Sequence, residues 1–404
     1  MKIPASLVLL LGGSNAALSL PTENCPPVSL DATTNVWKSY TLAINPAYRA
    51  KVLAAADRIK DEELQKQARK VADVGTFFWV DNITAVSTLE KAVSDIPCNS
   101  IFGIVLQGLN TGADCATPGF RKIDPDTYQK EFVDPLAKII KSHPTSAFAL
   151  LIEPYTLPAI IANSSLLPCQ NLSQTYYRPL VTHALQTLGS LPNLVIYLDA
   201  GHGGNLGFDY NMRPAAEDLS AVYVSANRPS QVRGIAVNTN GYNSWDMSPG
   251  EFSTTREGTR NYALNEKQYI QRLTAQIKKL GLPVPYHAIA DMSRAGVHGL
   301  RERWENWCNV NGAGFGRRPG TDDLGLDPDL IDAIVWVKNG GVSDGASEPR
   351  LAAEEDRYGA YNEFCGRVDA YRPAPRRGEW MQGYFEELIR YARPDFCERS
   401  DCWW

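Results

Sequence analysis

The chain has 404 residues, of which 44% are hydrophobic and 21% charged, and its formal net charge is −5. That balance belongs to a globular protein with enough length for one large α/β domain. No lysine or arginine cluster is long enough to track a phosphate backbone, which argues against a nucleic-acid partner.

The N-terminus reads as a secretory signal peptide. Lys2 precedes an apolar run at 7–11, and small residues follow at 16–19. The run is too short to span a bilayer, and no later stretch is apolar enough to do so. Residues 1–19 are therefore set apart, and 20–404 are expected to form a single domain without a separate carbohydrate-binding module. Eight cysteines follow, at 25, 98, 115, 169, 308, 365, 397 and 402. An even number in a secreted chain points to disulfides, and no pair has zinc-finger spacing. Sequons at Asn82, Asn163 and Asn171 fit a secreted glycoprotein.

Short apolar runs recur along the chain at 76–80, 101–106, 147–152, 194–198, 234–237, 286–290 and 333–337. Amphipathic stretches at 47–72, 125–142, 172–189, 213–226 and 266–280 alternate with them. Strand, helix, strand at this spacing implies right-handed crossovers and a parallel sheet. Seven such strands predict a closed or nearly closed β/α barrel, with a doubly wound open sheet as the alternative. Polar residues cluster just after the strands: Asp81, Asp114, Glu153, Asp199 with His202, Asn238 with Asn240, Asp291 with Arg294, and Lys338 with Asp344. In a parallel barrel these positions share one end, the end that carries active sites. The long polar segment 339–379 reads as a lid over that end.

The most informative motif ends the third strand, where 147–157 runs through Glu153-Pro154-Tyr155. Further blocks are Phe78-Trp79-Val80-Asp81, Tyr197-Leu198-Asp199-Ala200-Gly201-His202, Trp304-Glu305-Asn306-Trp307-Cys308 and Gly314-Phe315-Gly316. Trp336-Val337-Lys338 through Asp344-Gly345 and Ala374-Pro375-Arg376-Arg377-Gly378-Glu379-Trp380 complete the set. In this order the blocks resemble glycoside hydrolase family 6, the cellobiohydrolases and endoglucanases that cleave β-1,4-glucan, over roughly residues 35–395.

The resemblance implies a distorted seven-stranded barrel, a glucan cleft at the strand C-termini and an inverting mechanism. One carboxyl protonates the leaving oxygen while a base helps water attack the opposite face of the sugar. It assigns Asp114 to supporting the acid and Asp344 to the disputed base position. Lys338 becomes a substrate-binding lysine, Trp79 and Trp307 become sugar platforms, and Asp81, Asp199, His202, Asn240, Asp291 and Arg294 line the cleft. It also pairs Cys115 with Cys169 and Cys308 with Cys365. Cys25 and Cys98 receive no assigned partner, and Cys397 with Cys402 could close a local loop. A monomer that binds β-glucan is expected, with no cofactor.

The departures from the family pattern concentrate at the chemistry. The family's strand ends Glu-Pro-Asp and that Asp is the general acid; here Tyr155 stands in its place. Leu106 replaces a tyrosine, Asn205 and Phe208 replace product-side tryptophans, and Val342 replaces a glutamate. A phenol, with an ordinary pKa near 10, is a poor donor to a glycosidic oxygen. Two readings stand: a weakened glucanase in which Glu153, Asp114, Asp209 or Asp246 serves as acid, and a non-catalytic glucan-binding protein. His202 has no second His or Cys at ligand spacing and reads as a hydrogen-bonding cleft residue rather than a metal ligand. The glycine run after Asp199 lacks the spacing of a dinucleotide loop. Trp403 and Trp404 read equally as a polysaccharide contact or as packing.

Overall fold

The computed structural model describes residues 25–109, 115, 122–256, 258–325, 327–349, 361 and 363–397; the expected signal segment 1–19 lies outside them. All seven expected strands form: β2 (Phe78–Val80), β3 (Ser100–Leu106), β4 (Ala147–Ile152), β5 (Leu194–Asp199), β6 (Val232–Val237), β7 (His287–Asp291) and β8 (Ile331–Val335). An eighth, β1 (Thr41–Leu42), is too short to leave an alternating pattern in the sequence, and pairs with the start of β3. Every pairing is parallel, β3 to β8 lie in chain order, and β2 lies beside β3.

Between β8 and β2 the ladder is replaced by isolated contacts. The Phe77 N–H donates to Trp336 O at 3.0 Å, and Trp79 Nε1 donates to Val337 O at 2.8 Å. The sheet thus closes into a distorted, nearly complete β/α barrel and not a doubly wound open sheet. The gap is backed by a second core. There the helices Pro46–Ala56, Glu62–Val71 and Gln382–Arg390 pack around Phe315 and Trp336.

Strand alternation sorts the barrel side chains. Ile101, Val105, Ala149, Leu151, Val195 and Ala333 fill the interior. Phe102, Ile104, Phe148, Leu150, Ile196 and Ile334 face the helices. Gly103 is required inside, because a Cβ there would sit 2.5 Å from the Phe77 ring. The helical stretch expected over 47–72 divides in two. Asn45 and Asp61 accept backbone N–H groups at the two starts, and Pro46 suits the first turn. The helices near 125–142 and 172–189 each contain a π-helical turn (Tyr128–Val133 and Ser173–Tyr177) just ahead of Pro135 and Pro179. Proline's missing N–H and bulky ring account for the widened turn.

The described part of segment 339–379, expected as a lid, is packed structure. Its described residues 340–347 lie mostly buried, with Ser343 N–H bonded to Glu379 O and Ser347 N–H to Ala374 O. Residues 350–360 and 362 lie outside the described residues. Cys115–Cys169 and Cys308–Cys365 pair as the resemblance implies. Cys25 pairs with Cys98, tying the N-terminal segment to the loop before β3. Cys397 is also disulfide-bonded, while Cys402, Trp403 and Trp404 lie outside the described residues.

The N-terminal end of the barrel is held by a buried ion pair built on two bulges. The register skips Arg233 in β6 and Asp332 in β8. The two residues meet bidentately, Arg233 Nε to Oδ2 at 2.8 Å and Nη2 to Oδ1 at 2.6 Å. Tyr197 Oη donates to Asp332 at 2.8 Å and receives Trp37 Nε1 at 2.9 Å, which draws the N-terminal segment across the barrel end. Removing one partner strands the other's charge in a dry interior. Asp332→Ala is therefore expected to cost about 3–5 kcal/mol in denaturant unfolding. The double change Arg233→Met with Asp332→Leu should cost less than the single one.

Candidate active site

The strand C-termini converge on a set of carboxylates, and most of these bond to backbone rather than face open space. Asp291, at the end of β7, accepts four amides: Ser293 N at 2.9 Å and Val337 N at 3.2 Å on Oδ1, Asn240 N at 2.9 Å and Lys338 N at 3.1 Å on Oδ2. It thereby fixes the segments after β6 and β8 that carry Asn240 and Lys338. Burial raises its pKa, and the amide donors oppose that shift.

Arg294 follows, fully buried, its guanidinium 4.2 Å from the Tyr242 ring centre. Its Nη2 donates to Asn240 O at 2.6 Å and Oδ1 at 2.7 Å. Its Nη1 donates to Asp344 Oδ2 at 2.7 Å. The side-chain oxygen of Asn240 is thus occupied by arginine. Asp344 Oδ2 also accepts Tyr242 Oη at 3.0 Å and Asn309 N at 2.9 Å, and Asp344 N returns a bond to Asn309 Oδ1 at 2.8 Å. Its Oδ1 lies 3.0 Å from Lys338 Nζ, an ion pair whose angle falls short of a hydrogen bond. Burial disfavours the charged form of Asp344, but Arg294 and Lys338 outweigh it and hold the carboxyl well below the usual range. Burial lowers Lys338 to about 8, partly countered by Asp344.

On the opposite side β4 stops at Ile152, and the chain turns sharply. Glu153 (φ 53°) and Tyr155 (φ 69°) both adopt the left-handed region that non-glycine residues rarely enter. This turn separates their side chains. Glu153 is fully buried, with Oε1 accepting Gly108 N at 2.8 Å and Oε2 accepting Leu109 N at 3.0 Å. As a substitute acid it is badly placed, because the strand does not persist through Pro154 and both oxygens hold backbone. Asp199, at the end of β5, accepts Tyr155 N at 3.1 Å and Gly201 N at 3.3 Å on Oδ2, while its buried Oδ1 has no partner among the described residues.

The Tyr155 hydroxyl is buried and has no hydrogen-bond partner among the described residues. Burial pushes the phenol far above its ordinary pKa; Asp344 and Asp199 push the same way, and Arg294 and Arg377 oppose them. Asp114 lies outside the described residues. Asp209 is exposed and paired with Arg272 at 3.0 Å, and Asp246 is exposed on the loop after β6. Neither approaches Tyr155 as a substitute acid.

His202 caps the short helix Gly203–Leu206. Its Nδ1 accepts Gly204 N at 3.0 Å and faces Asn243 Nδ2 at 3.0 Å, so the ring proton belongs on Nε2. Burial, with help from Arg301, drives the ring down to about 3, which keeps it neutral. Trp79 is half-buried with Lys338 Nζ 6.0 Å from its ring centre. Trp307 is half-buried beside the Cys308–Cys365 bridge, 6.4 Å from Phe364. Asp81 lies half-buried at the rim, accepting Asn82 Nδ2 at 2.7 Å.

Sequence reasoning did not single out Gln107, Tyr242, Asn309 or Arg377. Tyr242 follows a polar strand end, and that position was its one available signal. Arg377 stood inside the Ala374–Trp380 block, but nothing local in the sequence indicates that it crosses the cleft to Gln107 Oε1 at 3.0 Å.

A β/α barrel with aromatic rims and paired carboxyls at its strand C-termini defines a carbohydrate-active class of protein. Residues 37–392 match the model of Glycosyl hydrolases family 6, and the chain belongs to that family. It is 46% identical to the 1,4-beta-D-glucan cellobiohydrolase CEL6C of Podospora anserina, over 98% of this chain and 99% of that one. It is 36% identical to Exoglucanase 3 of Agaricus bisporus, over 89% and 79%. Among solved structures it resembles the CcCel6A catalytic domain complexed with p-nitrophenyl beta-D-cellotrioside. There the TM-score is 0.80 and the identity 32%, covering 91% of this chain and 100% of that one. The catalytic core of the cellobiohydrolase Cel6A from Chaetomium thermophilum gives a TM-score of 0.79 at 32% identity, over 89% and 99%.

The site's buried carboxyls set a pH dependence. Burial lifts Glu153, Asp199 and Glu266 each to about 7. A carboxyl with a raised folded pKa contributes fully to stability below its unfolded pKa, and that contribution is lost as pH rises through the folded value. His202, held at about 3, opposes the carboxyls only up to its unfolded value of about 6.5 and as one group against three; Asp344, held low, does not titrate in this window, and Lys338 acts with opposite sign only above about pH 8. Thermal unfolding is therefore expected to give a higher Tm at about pH 5 than at about pH 8.

Proposed function

We propose that this is a secreted, β-1,4-glucan-directed member of the family in which Tyr155 replaces the general acid and hydrolysis is weak or lost. The observation that carries the reading is the state of Tyr155: a buried phenol with no hydrogen-bond partner among the described residues, its pKa raised by burial and by Asp344, a carboxylate that stays charged. Inverting hydrolysis needs a proton donor on one side of the bond and a base on the other. With Asp344 as the base, the donor side holds a phenol that does not release its proton at ordinary pH. Losing general-acid help typically costs about 10² to 10⁴ in rate. Glucan as the ligand is supported by relatives named as cellobiohydrolase and exoglucanase and by the cellotrioside bound to CcCel6A. Trp79 and Trp307 serve as sugar platforms, with Lys338, Asp199 and the Nε2–H of His202 as polar contacts. Asp81, Asn240 and Asp114 complete the reading carried from the family.

The second reading, a non-catalytic glucan-binding protein, is favoured by the same phenol together with the unaltered platforms. In either case residues 1–19 are a signal peptide, 20–404 are one domain, and the mature protein is an extracellular monomer. Of the sequon residues, Asn171 is exposed and Asn82 caps a helix while donating to Asp81, so Asn171 is the better glycan acceptor.

Product analysis by mass spectrometry after long incubation with cellohexaose separates the readings. The natural protein should release little or nothing, and Tyr155→Asp should cleave at least about 10²-fold faster. Rapid cleavage by the natural protein would overturn the reading. Asp199, with its raised pKa and unpartnered Oδ1, would then be the donor to replace, ahead of the fully engaged Glu153.

A further inference from the structure

We propose that the centre of the cleft selects a carboxylated β-1,4-linked chain, one bearing a uronate, and that Arg377 is the residue that reads the carboxylate. The proposal rests on the glucan-directed reading above and specifies its ligand.

The argument starts from charge. Replacing an Asp by Tyr155 removes one negative charge from the cleft. Arg294 and Arg377 act on the Tyr155 phenol against Asp344 and Asp199, and the same two arginines act on Lys338. Asp344 is shared between Arg294 and Lys338, at 2.7 and 3.0 Å, and Asp199, lifted by burial to about 7 and bonded to the Tyr155 amide, is the other carboxyl of the spot. Arg377 has no carboxylate partner among the described residues. Its one hydrogen bond there is to the neutral amide of Gln107, whose own Nε2 is directed at Pro154 O at 3.4 Å.

Among the described residues this half-buried guanidinium holds one neutral acceptor and has most of its donor fork left over. The Tyr155 hydroxyl, also a donor, is buried without a hydrogen-bond partner among the described residues. Gln107 links Arg377 to the Pro154–Tyr155 turn, so a cationic donor fork and a phenol lie at the place where the family's resemblance puts a reacting sugar. A neutral hydroxymethyl group offers one weak acceptor there. A sugar carboxylate offers two charged oxygens, which suit the planar fork and can also accept from the phenol. The same two features explain each other: Tyr155 tolerates an anion that an Asp would repel.

Titration calorimetry on the full-length protein tests this, with cellohexaose and a C6-carboxylated cello-oligosaccharide of the same length as probes. The natural protein should bind the carboxylated chain roughly tenfold or more tighter, and raised salt should shrink the gap. Arg377→Gln should abolish the preference while leaving cellohexaose affinity within about twofold. Arg376→Gln removes the same charge from an exposed neighbour and should keep the preference. Arg377→Lys keeps the charge without the fork and should fall between, which guards against a misfolded glutamine variant. Equal affinity for the two chains, or a preference that survives Arg377→Gln, overturns the proposal while the glucan reading stands. Binding of neither chain overturns the glucan reading itself.

Discussion

Asp344, buried between Arg294 and Lys338, organises the open end of the barrel. An ionised carboxylate in a dry interior is costly unless its partners repay the lost hydration. Here the repayment comes from distant parts of the chain: an arginine after β7, a lysine after β8, Tyr242 after β6 and the amide of Asn309. Four segments meet because one charge needs them. Tyr242 in turn meets Tyr384 of the C-terminal helix at 2.9 Å, so the second core is tied to the same point. The opposite end of the barrel repeats the device with Arg233 and Asp332, each lifted out of register by a bulge. Hydrophobic alternation makes the barrel wall; buried ion pairs decide how its two ends are plugged.

The wall was legible because it depends on short-range pattern. Buried parallel strands are continuous apolar runs, and helices recur between them, so seven strands could be placed within a residue or two of their observed ends. The polar strand ends were legible for the same reason. What each end does was not. Glu153, Asp199 and Asp291 look alike in sequence, as acids closing apolar runs, yet their oxygens accept backbone N–H groups and face inward. That distinction depends on φ at 153 and 155 and on loops that arrive from far along the chain. Arg377 illustrates the same limit: it reaches Gln107 across 270 positions of sequence. The Cys25–Cys98 bridge was equally hidden, since spacing alone does not choose among pairings of eight cysteines.

The distribution of bonds separates the fold of the turn after β4 from the side chain at 155. The turn after β4 is a strained piece of backbone, with two non-glycine residues at positive φ. Its support comes from Glu153, which anchors Gly108 and Leu109, and from Asp199, which receives the amide of Tyr155. All of these bonds end on backbone atoms at 155 or on neighbouring residues. The side chain at 155 makes no hydrogen bond of its own among the described residues. Exchanging a carboxyl for a phenol there leaves every described strut of the turn in place, so the scaffold places no demand on the identity of this side chain. A change of charge at 155 therefore reaches its surroundings through the electric field alone, and Arg377, which acts on the phenol, rests on the neutral amide of Gln107.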